Sequence, residues 1–200
     1  MTQTAPLAFL APEELSRANL YALIARLFHA APDAALIAGL VAAPPIEGEG
    51  ELALAWRDMV AGCAKESPAV LEDEHTELFI GTGKSEVTPY LSHYVLKHRN
   101  DNPLVALRAQ LAQWGIARRE GVAEYEDHVS GICETMRFII AAQQRSPADQ
   151  KAFFEGFVYP GASAFCDAVN ASPKASFYRF VARFTRAFLD IEKSAFEMVE

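Results

Sequence analysis

The chain has 200 residues, of which 51 % are hydrophobic, and its formal net charge is −8 at pH 7. A chain of this length makes one compact domain, or two small subdomains that share a core. The negative charge works against nucleic-acid binding, which requires a basic face, and it favours basic partners such as a peptide that carries Lys or Arg.

Cysteine spacing and apolar runs limit the cellular setting. Cys63, Cys133 and Cys166 lie far apart and form no C-x-x-C pair, so we interpret them as buried free thiols in a reducing compartment. Residues 1–10 carry no basic segment followed by a long apolar run, and no stretch reaches the ~20 apolar residues that a membrane span requires. We therefore expect a cytoplasmic protein without a membrane span.

Apolar residues recur at helical spacing in the first part of the chain. Pro12 precedes two glutamates, which indicates a helix start because proline is tolerated there and acidic side chains suit the positive end of the helix dipole. Similar signals predict three more helices, which begin at Pro32–Asp33, at Leu52 and at Ser67–Pro68. The last of these helices is expected to end near Ile80, before a predicted loop over Gly81–Pro89.

The second part of the chain has the same periodicity. Tyr90–Leu96 forms a predicted short helix or turn, and Asn102–Pro103 starts a longer helix. A long helix is predicted over Tyr125–Arg145. Pro160–Gly161 must kink or split the helix in which it lies, because proline removes a backbone donor and clashes with the preceding turn. The remaining predicted helices begin at Ser146–Pro147 and at Ser172–Pro173.

No segment alternates apolar and polar residues as a half-buried strand would, and no internal repeat is visible. We therefore predict an all-α fold, a helical bundle of about eight to ten helices, in one domain over residues 1–200. The polar stretch Lys97–Asn102 and the break at Gly121 predict a hinge between an N-terminal half, residues 1–120, and a C-terminal half, residues 121–200.

The segment Glu124–His128 concentrates reactive side chains. Three carboxylates and one imidazole fall within five residues, directly before the apolar positions of a predicted helix. Such a group is typical of catalysis or metal binding, but the rest of the sequence offers neither a nucleophile elbow nor paired metal ligands. We interpret the segment as the polar end of a binding surface. The simpler alternative is that Asp127 caps the helix and His128 is a polar neighbour.

A helical metal protein is an alternative from a different class. Glu72 and His75 have the Glu-x-x-His spacing of di-iron helix bundles, which require two such pairs and two further glutamates. The second acidic cluster places Glu124 and His128 one residue too far apart for that motif. We therefore predict no metal and no cofactor, and elemental analysis of the purified protein tests this prediction.

Gly81–Ser85 is similar to the end of a phosphate-binding loop. That motif requires a glycine at the position of Leu78 and a strand before it, whereas the preceding segment is predicted to be helical. We predict a loop without a true phosphate-binding motif, and a nucleotide-binding regulator that uses this loop stays open as a third hypothesis.

Three parts of the chain carry recognisable motifs: His75–Gly81 with Pro89–Tyr94, then Glu124–His128, and then Phe153–Pro160 with Phe177–Arg179. Together they resemble the TorD/DmsD/NarJ family of cytoplasmic chaperones for molybdenum oxidoreductases. His75–Gly81 followed by Pro89–Tyr94 is similar to the family's Leu-Phe-x-Gly loop and its Pro-[Trp/Tyr]-x-Ser-x-[Tyr/Trp] motif. Glu124–His128 is similar to the hinge signature Glu-x-x-Asp-His. Phe153–Pro160, with Phe177–Arg179 later, resembles the C-terminal helices of the family.

The resemblance implies an all-helical chaperone without catalytic activity. Its expected partners are the twin-arginine leader and the apo form of a molybdenum oxidoreductase, and its expected state is a monomer or a dimer that swaps domains through the hinge. A leader with a basic patch and an apolar stretch suits an acidic cleft beside an apolar groove. The peptide-binding residues implied by the family are Leu78, Phe79, Pro89, Tyr90, Asp127 and His128. The implied hinge residues are Glu124, Asp127 and His128.

The chain departs from the family's pattern at three positions. Tyr125 stands where proline is common, Phe157 where histidine is frequent, and Gly161 where tryptophan is common. Client enzymes compatible with the resemblance include reductases of N- or S-oxides and of nitrate, and formate dehydrogenases. An unperturbed His128 would titrate near neutral pH and could tune the affinity for the client.

Overall fold

The computed structural model of the protein describes residues 10–81, 83–95, 102–117 and 124–199. These residues form helices and no strand, which confirms the predicted all-α class. The α-helices are α1 (Pro12–His29), α2 (Ala34–Ala42), α3 (Glu51–Cys63), α4 (Pro68–His75), α5 (Ser92–Val95), α6 (Pro103–Gln113), α7 (Val129–Ala141), α8 (Pro147–Phe153), α9 (Tyr159–Ala171) and α10 (Phe177–Glu197). None of the described helices has both the length and the apolar character of a membrane span.

Most helix starts agree with the signals in the sequence. Proline occupies the first turn of α1, α4, α6, α8 and α9. The side chains that cap α2, α4, α6 and α8 by accepting backbone N–H bonds are those of Asp33, Ser67, Asn102 and Ser146. The break predicted at Pro160–Gly161 takes the form of a π-helical turn, Phe154–Val158, directly before α9. A second π-helical turn, Thr76–Ile80, extends α4.

The predicted long helix over Tyr125–Arg145 is too long at both ends, because α7 covers only Val129–Ala141. Residues 124–128 form a turn instead, and the last of them, His128, occupies the N-cap position. The acidic cluster therefore lies before the helix and not on it. This turn carries the candidate site.

The last helix also starts later than predicted, at Phe177 and not at Ser172–Pro173. The Glu74 carboxylate on α4 accepts the backbone N–H groups of Ser176, Phe177 and Tyr178 at 2.7, 3.0 and 2.9 Å. A carboxylate that binds the free N–H groups of a helix start satisfies them and offsets the positive end of the helix dipole. Glu74 thus determines where α10 begins.

The core is one contiguous cluster of buried apolar side chains drawn from both predicted halves. α1 packs along α7, and α10 packs against α3 and α9. Residues 97–101 and Gly121, at which the sequence predicts a hinge, lie outside the described residues, so the division into two halves stays a prediction. Cys63, Cys133 and Cys166 are buried free thiols, as predicted.

A buried polar network fastens α10 to α1. The guanidinium of Arg17 donates to both carboxylate oxygens of Glu192, at 2.7 and 2.8 Å, and to the side-chain oxygen of Gln150 on α8 at 3.0 Å. Tyr21 donates its hydroxyl to the same carboxylate at 3.0 Å. Burial lowers the pKa of Arg17, but the bonds with Glu192 outweigh burial and leave that pKa raised. Arg17 is therefore held in its charged form.

The arginines of α10 pair with acids on other helices as well as on their own. Arg183 donates to Glu51 and Asp58 of α3 at 2.6 Å each. Arg186 pairs with Asp190 on the same helix and with Asp167 on α9. These two arginines thus link α10 to its neighbours α3 and α9.

Candidate functional site

Two short segments from distant parts of the sequence pair beside the start of α7. The N–H of Val129 donates to the carbonyl of Pro89 at 2.8 Å, and the N–H of Leu91 donates to the carbonyl of Asp127 at 2.9 Å. The pairing is antiparallel and sets Tyr90 opposite His128, with ring centroids 5.4 Å apart. The structure therefore brings together four of the six predicted binding residues: Pro89, Tyr90, Asp127 and His128.

The other two predicted residues, Leu78 and Phe79, lie in the core. Leu78 is fully buried, and Phe79 is 6 % exposed with its ring packed against Phe28 and Tyr178. Leu78 is linked to the rest of the loop through its carbonyl, which accepts the N–H of Val87 at 2.9 Å. Neither side chain presents a surface to a partner in this conformation.

His128 caps α7 as a neutral acceptor. Its Nδ1 accepts the backbone N–H of Ser130 at 3.2 Å and lies 2.8 Å from the hydroxyl of the same residue. An Nδ1 that accepts a backbone N–H carries no proton, so the ring holds its proton on Nε2. Burial lowers the pKa of His128 to about 4; the nearby Glu124 acts in the opposite direction. The structure therefore gives the capping role of the alternative to His128 and not to Asp127. The condition of an unperturbed His128 is not met, because burial lowers its pKa.

Asp127 is 4 % exposed, and only one of its two carboxylate oxygens accepts a hydrogen bond from the described residues. Its Oδ2 accepts the hydroxyl of Ser92 on α5, whereas no donor from the described part of the protein reaches Oδ1. A buried carboxylate oxygen without a donor costs about 1–3 kcal/mol or more, so it is a strong acceptor for an incoming N–H group. Sequence reasoning missed Ser92, although it belongs to the Pro89–Tyr94 motif.

Asp127 lines a partly open crevice of about 20 Å³ between α5, α6, α7 and α9. This volume holds about one water-sized group, and the walls around the carboxylate are mainly apolar. The side chains and backbone that form these walls include Leu91, Leu107, Ile132, Phe157 and Gly161. The crevice therefore combines an apolar lining with a carboxyl group of which one oxygen has no donor among the described residues.

Gly161 is required by the close approach of α9 to the segment Pro89–Leu91. A Cβ atom at position 161 would lie 2.8 Å from the Cβ of Leu91 and 2.9 Å from its carbonyl oxygen. A larger side chain there would push the segment away from α9 or fill the crevice. This contact is the physical reason why tryptophan, common in the family, does not fit at this position.

An aromatic and charged surface borders the paired segments. Tyr125 is 56 % exposed, and its ring centroid lies 6.0 Å from that of Tyr90. The guanidinium of Arg108 on α6 lies 5.8 Å above the Tyr125 ring and 3.0 Å from the carboxylate of Glu126. Tyr125 could be found from the sequence because it lies inside the hinge signature. Arg108 could not, because its partners Tyr125 and Glu126 are distant from it in the sequence.

The residues of the metal hypothesis are not arranged as ligands. His75 is buried between aromatic rings, 3.4 Å from the carbonyl of Phe28, and burial lowers its pKa, whereas Glu72 is exposed. His128 uses its Nδ1 to cap α7. Among the described residues, no group of three His, Cys, Asp or Glu side chains could hold a metal ion.

The loop after α4 lacks the geometry of a phosphate-binding loop. Gly81 ends the π-helical turn with φ +63°, and its N–H donates to the carbonyl of Thr76 at 2.8 Å. Residues 83–86 are not helical, so this part of the loop leads into no helix whose N-terminus could hold a phosphate. The prediction of a loop is confirmed for the described positions; Thr82 lies outside them.

Residues 47–167, more than half of the chain, match the family model described as nitrate reductase delta subunit. The chain belongs to this family. The match contains the paired segments, the turn before α7 and the crevice. Members of the family are maturation chaperones of redox enzymes, not catalysts, and they interact with subunits of molybdoenzymes. None of the curated proteins compared with the chain matches it.

Proposed function

We propose that this protein is a cytoplasmic chaperone that binds the twin-arginine leader of a molybdopterin oxidoreductase, its apo form, or both. It holds the client until the cofactor has been inserted and so delays export through the twin-arginine pathway. Membership of a family of redox-enzyme maturation chaperones supports the general role. The crevice at Asp127 supports the choice of a basic peptide segment as the part that is recognised.

The unpaired Oδ1 of Asp127 is the observation that carries this proposal. An arginine side chain ends in planar N–H donors that match a carboxylate, and such charge-assisted bonds are the strongest hydrogen bonds in proteins. The crevice admits about one small polar group, so the terminal NH₂ of an arginine is the part that would enter. Ser92 holds the other oxygen and fixes the direction of the carboxylate.

The apolar part of the leader would lie along the walls of the crevice and the rings of Tyr90 and Tyr125. Both rings are near the paired segments, and Tyr125 is the more exposed of the two. Leu78 and Phe79 take part indirectly, since their burial and the Leu78–Val87 bond position the loop that leads to Pro89. His128 contributes by holding the turn at the start of α7.

Calorimetry with a twin-arginine leader peptide tests the proposal. We expect saturable binding of the Arg-Arg peptide and at least tenfold weaker binding of a Gln-Gln peptide. Asp127→Asn should weaken binding of the Arg-Arg peptide about tenfold or more, because a sheltered bond to a charged group is worth about 1.5–3 kcal/mol. Asp149→Asn, which makes the same charge change on α8, is the control. Equal affinities of the two peptides for the wild-type protein would contradict the proposal.

A further inference from the structure

The negative charge of the chain is concentrated in one region. Residues 47–86 contain ten acidic and three basic residues, a net charge of −7 out of the total of −8. In the structure these residues form α3, α4, the π-helical turn after α4 and part of the following loop. The rest of the chain is close to neutral, so the electrostatic attraction for a basic partner centres on this region.

A groove of about 170 Å³ lies at the edge of this acidic region, between the end of α3 and the start of α10. On the scale by which the crevice at Asp127 holds about one water-sized group, this groove holds several. Phe177 and Phe180 contribute aromatic surface, and Phe180 is 37 % exposed. The groove depends on Gly62, since a Cβ atom there would lie 2.8 Å from the Phe180 ring.

The surroundings of the groove favour a cation over an anion. The end of α3 directs the negative end of its helix dipole toward the groove. The start of α10 offers little to an anion, because Glu74 already accepts its first N–H groups. Asp58, Glu66 and Lys65 line the groove. Asp58 is already paired with Arg183 at 2.6 Å, so Glu66 is the acid that would attract a cation. Glu66 is exposed on the rim.

We propose that this groove is a second docking site, which takes a basic peptide segment with one large apolar side chain. The apolar side chain packs against Phe177 and Phe180, and flanking Lys or Arg residues lie along the acidic rim and α4. A second copy of this chain is a poor occupant of the groove, because the acidic regions of the two copies, residues 47–86 of each, would repel one another. The inference goes beyond the proposed function, since the groove shares no residue with the crevice at Asp127.

Fluorescence anisotropy with a labelled Gly-Lys-Lys-Phe-Lys-Lys-Gly peptide tests this site. We expect saturable binding that salt weakens, and much weaker binding of a peptide with Gln in place of Lys. Phe180→Ala and Glu66→Lys should each lower the affinity about fivefold or more, the loss typical of a residue that matters in an interface. Phe138→Ala is the matched control, because Phe138 on α7 is also 37 % exposed and lines neither cavity.

The outcomes separate this site from the crevice. Asp127→Asn should leave binding of the lysine peptide unchanged. If Asp127→Asn weakens binding and Phe180→Ala and Glu66→Lys do not, the peptide occupies the crevice. That result leaves the proposed function standing and overturns the groove proposal. Equal effects of Phe180→Ala and Phe138→Ala, or no saturable binding, would also overturn it. Sedimentation experiments test a second copy as the occupant. If the wild-type protein self-associates and Phe180→Ala abolishes this self-association, the proposal of a peptide site is also overturned. Glu66→Lys changes an exposed side chain and keeps the test valid if Phe180→Ala unfolds the protein.

Discussion

Individual side chains at the site divide into those that are buried in the fold and those that the proposed partner would contact. Phe79 packs in the core, whereas Tyr90 is partly exposed beside Tyr125. His128 caps a helix, whereas Asp127 lines the crevice and has one carboxylate oxygen that no donor from the described residues reaches. Neighbouring residues in one motif therefore have different roles, and substitutions should separate these roles.

Alanine substitution at Phe79 should mainly reduce stability, and alanine substitution at Tyr90 should mainly reduce binding of the leader. Phe79→Ala should lower the free energy of unfolding by about 3–5 kcal/mol, the usual cost of removing a buried phenylalanine. Tyr90→Ala should lower the free energy of unfolding less than Phe79→Ala does, and it should weaken leader binding more than Phe79→Ala does. Urea unfolding and calorimetric titration of both variants measure the two effects. A Tyr90→Ala variant that binds normally when folded would remove Tyr90 from the proposed surface.

Acid should destabilise the protein through His128. Burial lowers the pKa of His128 from 6.5 to about 4, so the unfolded chain binds the proton more tightly than the folded chain. The stability that neutral His128 provides is present above pH 6.5 and is lost as the pH falls toward 4. This residue alone should lower the free energy of unfolding by about 2 kcal/mol between pH 7 and pH 5.

The control for this pH dependence is His128→Asn, because asparagine also caps helices and does not titrate. Urea unfolding at pH 7 and pH 5 should show a smaller loss of stability in the variant than in the wild-type protein. The stability of the variant should still fall somewhat between pH 7 and pH 5, because burial also lowers the pKa of His75. An identical pH dependence in the two proteins would show that His128 is not held neutral by the fold.

At the scale of helices, the starts of α8 and α10 differ in where their caps come from. Ser146 caps α8 from the adjacent position, and its Ser-Pro signal gave the correct start. Ser172–Pro173 gives the same signal, but α10 starts only at Phe177, because its cap comes from Glu74, about a hundred residues earlier in the chain. Such a contact leaves no periodic or adjacent signal in the sequence.

Glu74→Ala should destabilise α10 where it meets α4. Three backbone N–H groups lose their acceptor, so we expect a loss of about 1–3 kcal/mol in the free energy of unfolding. Hydrogen exchange should become faster at the start of α10. Glu72→Ala removes an exposed carboxylate from the same helix and is the control. Equal stability of the two variants would contradict the capping role of Glu74.

The contact between α9 and the segment Pro89–Leu91 should tolerate no added methyl group. Gly161→Ala places a Cβ within 3 Å of Leu91, so we expect a loss of about 1–3 kcal/mol from overpacking, and weaker leader binding. Gly39→Ala on α2 is the control, since Gly39 has open space at its Cβ position and lines neither the crevice nor the groove. Thermal unfolding and calorimetry of both variants test this. A neutral Gly161→Ala would show that the segment moves freely.

For the whole molecule, periodicity was enough to predict the all-α class, because nearly every helix has an apolar face against the single core. The grouping of Pro89, Tyr90, Asp127 and His128 came only from the family resemblance, since the antiparallel pairing that joins them has no signature in either segment alone. Spacing could not show that Phe79 is buried while Tyr125 is exposed. Both depend on which helices surround them.

The proposed function depends on one contact, which would form between the Oδ1 of Asp127 and an arginine of the leader. The most direct test is a double-mutant cycle by calorimetry, in which wild-type protein and Asp127→Asn each bind leader peptides with the arginines kept or changed singly to glutamine. We predict a coupling energy of about 1.5 kcal/mol or more for one of the two arginines. Coupling near zero for both arginines would contradict the account and place the recognition of the leader elsewhere on the protein.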